Sequence, residues 1–281
     1  MSKQFEDLRI AHPKFFYQSY SYKTLKNKIS AEFKFKIEPD IEFIPKIEIP
    51  WDNKTKINEN LIFNLGLVES ISYWKCTCSP KFYVQCGTLF DTSWWKNLFI
   101  NGLSEFLFIN KINFDPKDFV EFIIESKEEP KNSLIKTKDS SELILVGGGK
   151  DSSTTMQVLK DENNKQAVFV LNETESTKRT IKNAGFEKQT LIAKRVIDKK
   201  LLELNKQGYL NGHTPFSAYL AFLSCTVAEL NGFSNVILSN ESSASEPNTE
   251  DYIIPVNHQY SKSYEFEKSF RNYISKISAV N

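Results

Sequence analysis

Ile144-Leu145-Val146-Gly147-Gly148-Gly149-Lys150-Asp151-Ser152-Ser153 is the stretch on which the fold turns. An apolar run feeds three glycines, and acidic and hydroxyl residues then open a segment read as helix over residues 151–162. Glycines let a backbone approach an anion with no Cβ in the way. Free N–H groups at a helix start, with the helix dipole behind them, favour negative charge there. Downstream, residues 166–171, 189–193 and 235–238 are apolar and rich in β-formers, which predicts strands. Between them lie two helical segments: 176–184, closed by Gly185, and 215–230, with Gly232 placed to cap its end. Strand and helix alternate, which predicts right-handed βαβ units and an α/β fold on a mostly parallel sheet. In such sheets the ligand crevice lies at the carboxyl ends of the strands.

Upstream the pattern changes. Residues 29–37 (Ile-Ser-Ala-Glu-Phe-Lys-Phe-Lys-Ile) alternate apolar and polar, the signature of a half-buried strand. Residues 41–49 repeat the idea but contain Pro45, which predicts an edge strand or a bulge. Residues 60–73 read as an amphipathic helix through Leu61, Ile62, Leu65, Val68 and Ile71, and 94–108 as a second helix interrupted by Gly102. Residues 126–141 are polar, carry Pro130, and form the best linker in the chain. The expected organisation is a smaller α+β domain with antiparallel strands over 1–140, then an ATP-binding α/β domain over 141–281.

Composition narrows the function. With 40% hydrophobic and 25% charged residues, the chain can bury an ordinary globular core. A net charge of +1 supplies no strong field toward nucleic acid or anionic lipid. No apolar run reaches the roughly 18–20 residues a membrane helix needs, and residues 1–7 lack the apolar segment of a signal peptide. The expectation is therefore a cytoplasmic protein with reduced thiols. Its cysteines are Cys76, Cys78, Cys86 and Cys225. Cys76-x-Cys78 is too closely spaced for a zinc knuckle and reads as half-buried thiols on a strand. Cys225 lies in an apolar helical run and reads as a core thiol.

Three phosphate-loop patterns compete for the glycines. A Walker A loop fails, because Ile144 stands where its first Gly belongs and Asp151 where Ser or Thr belongs. A dinucleotide fingerprint has Ser152 in place of its third Gly, although Glu173 sits about 20 residues on. The pyrophosphatase (PP-loop) pattern, Ser-Gly-Gly-x-Asp-Ser, matches Gly148-Gly149-Lys150-Asp151-Ser152 and departs only at Gly147, where it has Ser. On this reading ATP is held by Gly147, Gly148, Gly149, Lys150, Asp151, Ser152 and Ser153. Asp151 is a magnesium partner, since a carboxylate and a triphosphate repel without a cation between them.

Further segments carry a family resemblance. They are Tyr209-Leu210-Asn211-Gly212-His213-Thr214-Pro215, Ser239-Asn240-Glu241-Ser242-Ser243-Ala244-Ser245 and Val256-Asn257-His258-Gln259-Tyr260-Ser261-Lys262. Upstream, Ser72-Tyr73-Trp74-Lys75 and Trp94-Trp95-Lys96-Asn97-Leu98-Phe99-Ile100-Asn101-Gly102-Leu103 join them. Together with the glycine loop, and from about residue 30 onward, the chain resembles the epimerases that act on UDP-N-acetylmuramoyl-L-alanyl-L-glutamate. The resemblance implies an ATP- and Mg²⁺-dependent inversion of the terminal L-glutamate for peptidoglycan synthesis, with AMP and pyrophosphate as products. The logic is chemical. An α-proton beside a carboxylate is very weakly acidic; adenylation neutralises that carboxylate and lets the acyl group take up the carbanion's electrons. Proton removal and return then need acid–base groups.

The resemblance directs attention to His213 and His258, since histidine suits proton transfer near neutral pH. Lys262 would hold the α-phosphate as charge develops on it, and Glu241 would bind magnesium or substrate. Asn172, with Glu173 and Thr174, ends the second strand of the α/β half, where adenine or ribose rests in this fold type. His12 has no supporting context. Family members continue well past residue 281, which implies a missing C-terminal domain or partner chain. The competing functions are amide or thiol transfer on the same loop, and a nucleotide-binding half-enzyme that needs that partner.

Overall fold

The computed structural model describes residues 3–88, 90–126, 140–160 and 164–281. Of the expected linker, residues 127–139 lie outside those described. After helix α1 (Lys3–Ala11), strands β1 (Lys14–Leu25) and β2 (Lys28–Ile37) form a long antiparallel hairpin across a two-residue connection. Asn27 at its tip has φ +61, in the left-handed region that tight connections need. In β2 every second side chain from Ile29 to Ile37 is buried, as its alternation predicts.

Pro45 does break the next segment, into β3 (Ile41–Phe43) and β4 (Lys46–Pro50), and both pair with β2. The edge position expected for it is not found: β4 lies between β2 and β9 (Thr190–Val196). The strand tolerates this because Pro45 sits in the gap between β3 and β4, where its carbonyl still accepts from Phe33 N at 3.1 Å.

Helix α2 (Glu59–Trp74) corrects a second expectation. It is buried on every side from Asn60 to Trp74 rather than amphipathic, because it is packed between the β1–β2 hairpin and α8 (Phe216–Leu230). Its polar residues are satisfied internally. Asn64 accepts from Tyr273 Oη at 2.6 Å, Asn60 accepts from Thr88 at 3.1 Å, and Glu69 pairs with Arg195. Backbone approach is close at Gly66, where a Cβ would fall 2.0 Å from Tyr17 Oη. The 94–108 helix divides near Gly102, as expected, into α3 (Thr92–Gly102) and α4 (Ser104–Ile109). Cys76 and Cys78 are fully buried in the turn after α2, not half-buried on a strand. Strands β5 (Lys81–Val84) and β6 (Glu121–Ile124) add parallel to β1 and to each other.

The α/β half supplies β7 (Glu142–Leu145), α5 (Lys150–Leu159), β8 (Gln166–Leu171) and α6 (Glu175–Ala184). It continues through β9, α7 (Lys199–Lys206), α8, β10 (Asn235–Ile237) and α9 (Tyr264–Ile274). Here β10, β7, β8 and β9 are mutually parallel. They run on into the first half through an antiparallel β4–β9 seam, giving the order β10-β7-β8-β9-β4-β2-β1-β5-β6 with β3 beside β2. The sheet is therefore mixed, not mostly parallel. Helical crossovers impose parallel neighbours, whereas the short β1–β2 connection can only give antiparallel ones.

Alternate residues of the parallel strands face opposite layers. Ile144, Val146, Val168 and Val170 pack with Met156 of α5 and Ile181 of α6. Leu143, Ala167, Phe169 and Ala193 face the larger core, which contains α2, α8 and the β1–β2 hairpin. Helices thus cover both faces of these strands, a doubly wound arrangement. Among the described residues no helix is long and apolar enough to cross a membrane.

Candidate active site

Strand β7 lies between β8, reached through α5, and β10, reached much later through α8. The chain's path reverses there, which makes the carboxyl ends of β7 and β10 a topological switch point, the place where open α/β sheets hold ligands. The glycine loop leaves β7 at that point and residues 239–241 leave β10 beside it. Thr155 Oγ1 of α5 and Ser239 Oγ, 2.7 Å apart, tie the two exits together.

Within the loop, Gly148 has φ +84, a conformation L side chains rarely adopt. Its carbonyl accepts from Ser176 Oγ at 3.1 Å and Thr180 Oγ1 at 3.4 Å, so the start of α6 fixes the loop from one side. A Cβ at Gly147 or Gly149 would meet nothing within 4 Å. Gly149 caps α5 without a side-chain hydrogen bond, and the first amides of a helix have no partner inside it. Ser152 Oγ and Ser153 Oγ both donate to Gly149 O, at 3.2 and 3.1 Å, which holds the turn. Lys150 is exposed and Asp151 half-buried. Glycines with open space beside them, the first amides of a helix and an exposed lysine are the chemistry that suits a phosphate group. Among the described residues no group of three or more His, Cys, Asp or Glu could hold a metal. Asp151 alone suits magnesium only in the way that ion is commonly bound, by one carboxylate together with substrate phosphates.

The other expected residues are distributed around this edge. Asn172, with φ +51, turns its side chain onto the neighbouring strand: Oδ1 accepts from Arg195 N at 2.9 Å and Nδ2 donates to Arg195 O at 3.3 Å. Its backbone N–H is likewise engaged, donating to Ala193 O at 2.9 Å. Glu241 is exposed, accepts from Ser243 Oγ at 3.3 Å and precedes a short 3-10 turn; Lys262 is exposed at the end of another. His12 is not incidental to the fold. Its Nδ1 lies 2.6 Å from Glu38 O and its Nε2 3.1 Å from Tyr209 Oη, which ties α1 to the sheet and to the segment after α7.

His213 precedes α8, whose first turn lies at the carboxyl end of β9: the Arg195 guanidinium there sits 5.9 Å from the Phe216 ring. His213 Nδ1 lies 3.2 Å from Glu105 Oε2. Burial lowers its pKa from the ordinary histidine value; Glu105 opposes this, and Lys75 and His258 add to it. His213 and His258 are therefore electrostatic neighbours, although 45 residues apart in sequence. His258 Nδ1 lies 2.7 Å from Asn248 Oδ1.

Two features here escaped the sequence reading. Lys75 is buried, and burial pulls its pKa down to about 8. Its Nζ donates to Thr214 Oγ1 at 2.6 Å, to His213 O at 3.3 Å and to Gly212 O, clamping the strap that carries His213. Its place in Ser72-Tyr73-Trp74-Lys75 was the available signal. The second is Arg195, which donates to Glu69 through Nε at 2.7 Å and Nη2 at 2.9 Å and lies 4.6 Å over the Tyr219 ring. Glu69 lies among the apolar residues of α2, and no sequence spacing relates it to Arg195. Burial raises the Cys76 and Cys225 thiols to about 12 and pushes Cys78 up as well, which keeps all three from acting as thiolates.

Fold and site together define an α/β protein with a glycine loop at the switch point of its parallel strands. The chain belongs to the family described as the MurL N-terminal domain, which matches residues 7–281. It is 27% identical over 231 residues to the UDP-N-acetyl-alpha-D-muramoyl-L-alanyl-L-glutamate epimerase of Xanthomonas oryzae pv. oryzae, covering 82% of this chain and 50% of that one. Proteins of the same name from Salinispora tropica and a Micromonospora species are 28% and 30% identical, over 82% and 74% of this chain and 50% and 46% of theirs. The chain thus spans about half the length of these curated relatives. No solved structure matches it.

Proposed function

We propose that this chain carries the ATP-binding part of an epimerase that inverts the terminal L-glutamate of UDP-N-acetylmuramoyl-L-alanyl-L-glutamate to D-glutamate for peptidoglycan synthesis. The carrying observation is the glycine loop at the β7–β10 switch point in a chain whose relatives bear that epimerase name. Backbone amides of residues 147–152 and Lys150 would hold the triphosphate, with Mg²⁺ between it and Asp151. ATP would activate the substrate carboxylate as an acyl-adenylate. That places a neutral acyl group beside the α-carbon and lets a side chain of modest basicity remove the proton. His213 and His258 are the proton-transfer groups in this reading. His213, its pKa lowered from the ordinary histidine value chiefly by burial, is thereby suited to the base role. Lys262 and Glu241 would serve the α-phosphate and the metal or substrate.

Incubation with ATP, Mg²⁺ and the UDP-linked dipeptide, followed by hydrolysis and chiral analysis of glutamate, tests the reading. D-glutamate formed together with AMP supports it; amide or thiol products with AMP would replace it by group transfer on the same loop. The half-length match to the relatives favours a second reading, a nucleotide-binding half that turns over only with a further domain. ATP binding at residues 147–152 without D-glutamate distinguishes that case. No ATP binding at the loop overturns both.

A further inference from the structure

One hydrogen bond and one carboxylate contact orient the two histidine rings. Asn248 Oδ1 accepts the backbone N–H of His258 at 3.0 Å and also lies 2.7 Å from His258 Nδ1. An oxygen that already accepts an amide is the carbonyl end of the asparagine, so Nδ1 must be the donor. His213 Nδ1 lies 3.2 Å from Glu105 Oε2, a charge contact that favours a proton on that nitrogen. Neutral His258 is therefore fixed as its Nδ1–H tautomer, the Glu105 carboxylate favours the same tautomer in His213, and in both the lone pair falls on Nε2.

The supports differ in charge. Glu105, at the start of α4, gives His213 a carboxylate; Asn248 gives His258 an uncharged amide. The groups acting on the His213 ring come from three places: Glu105 on α4, Lys75 after α2, and His258 beyond β10. Lys75 also holds the carbonyls of Gly212 and His213, so the strap cannot swing away without breaking those bonds.

We propose that Glu105 is the positioning residue that makes His213 the proton-abstracting base, with His258, held by Asn248, returning a proton from the opposite face. This rests on the epimerase reading above. As the α-C–H bond breaks, His213 Nε2 forms the new N–H bond and the electron pair moves into the activated acyl carbonyl. Protonated His258 then gives its Nε2 proton to the α-carbon as the pair returns. The extra proton on His213 and the one lost from His258 exchange with water before the next turnover. Glu105 stabilises the imidazolium that His213 becomes, the role a carboxylate plays behind a catalytic histidine.

Nitrogen-15 NMR of the histidine-labelled chain tests this without turnover, its three histidines assigned through His213→Gln and His258→Gln. In their neutral forms both rings are expected to show Nδ1–H with bare Nε2. Glu105→Gln should lower the His213 midpoint by about one pH unit, a tenfold loss of proton affinity, and Glu105→Asp should restore part of it. With ATP, Mg²⁺ and the UDP-linked dipeptide in D₂O, Glu105→Gln should move the acid limb of α-hydrogen exchange to lower pH and lower kcat more than it raises KM. An Nε2–H tautomer, an unmoved midpoint, or an unmoved limb in a chain whose wild type exchanges overturns the inference and leaves the epimerase reading standing. No exchange by the wild type overturns the proton-transfer role together with that reading, whatever the spectra show.

Discussion

Gly147 and Gly148 are adjacent and both glycine, yet the structure asks different things of them. Gly148 has φ +84, and a Cβ there would come within 3.2 Å of Thr177 and Ser176. Gly148→Ala should cost about 1–2 kcal/mol from the left-handed backbone alone, read as a lower denaturant midpoint, and on the proposed reading should weaken ATP binding by displacing the loop. At Gly147 a side chain meets nothing. Gly147→Ser restores the hydroxyl of the PP-loop pattern and should leave stability within about 0.5 kcal/mol. On the proposed reading it tightens ATP binding up to about tenfold, the worth of one charge-assisted hydrogen bond, measurable by calorimetry. The glycines themselves were legible from the sequence, because a strand followed by three glycines has few other uses. Which of them is obligatory was not, since φ depends on how α6 receives the turn. Glu105 was not legible either, and Lys75 only through its place in Ser72-Tyr73-Trp74-Lys75: each looks like a solvated charge until α4 and the strap before α8 are brought together around His213.

At the scale of elements, boundaries followed sequence chemistry wherever the deciding contacts are local. The alternation in β2, the Gly185 and Gly232 stops, and the break near Gly102 all fell where residue type placed them. Helix α3 has such a local device in Asp91, whose carboxylate accepts from Trp94 N at 3.1 Å. Bonds from Ser93 and from that amide hold its pKa below the usual carboxylate value. A lowered folded pKa stabilises above the unfolded value and is lost as pH falls through the folded one. Asp91→Ala should therefore cost about 1 kcal/mol at neutral pH, and the gap to wild type should close on the acid side, below the ordinary aspartate pKa, in pH-dependent urea unfolding. Helix α2 resisted the same reading. Its polar residues suggested a wet face, but they are bonded across the core, and a one-dimensional pattern cannot distinguish water from a buried partner. Gly66→Ala probes that burial: with Tyr17 Oη 2.0 Å from the new Cβ, overpacking should cost about 1–3 kcal/mol, seen as a lower thermal midpoint.

Taken whole, the molecule is joined across the position where the sequence changes pattern. Strand β4 of the first half pairs with β9 of the second, and one apolar core contains residues from both. A single cooperative calorimetric transition is expected, and two resolved transitions would contradict that coupling. Arg195 and Glu69 fasten the same seam from within, β9 to α2, at side-chain exposures of 11% and 2%. Arg195→Met leaves a buried carboxylate without its partner and should lower stability by about 3–5 kcal/mol. The doubly substituted Arg195→Met, Glu69→Leu chain should recover much of that loss, because removing both charges removes the uncompensated one.

By itself the sequence determined the βαβ succession of the second half, the glycine turn after β7 and the family to which the chain belongs. Periodicity, glycine and phosphate-loop spacing act over a few residues and need no partner to be read. Tertiary structure alone decided that the sheet is mixed and continuous, that α2 is central, and that His213 meets Glu105 and Lys75. Those outcomes depend on contacts between distant segments: Glu105 and Lys75 lie 108 and 138 positions before His213, and Asn64 lies 209 before Tyr273. Such contacts are set by how faces and strand edges close on one another, and no local pattern records which face will meet which.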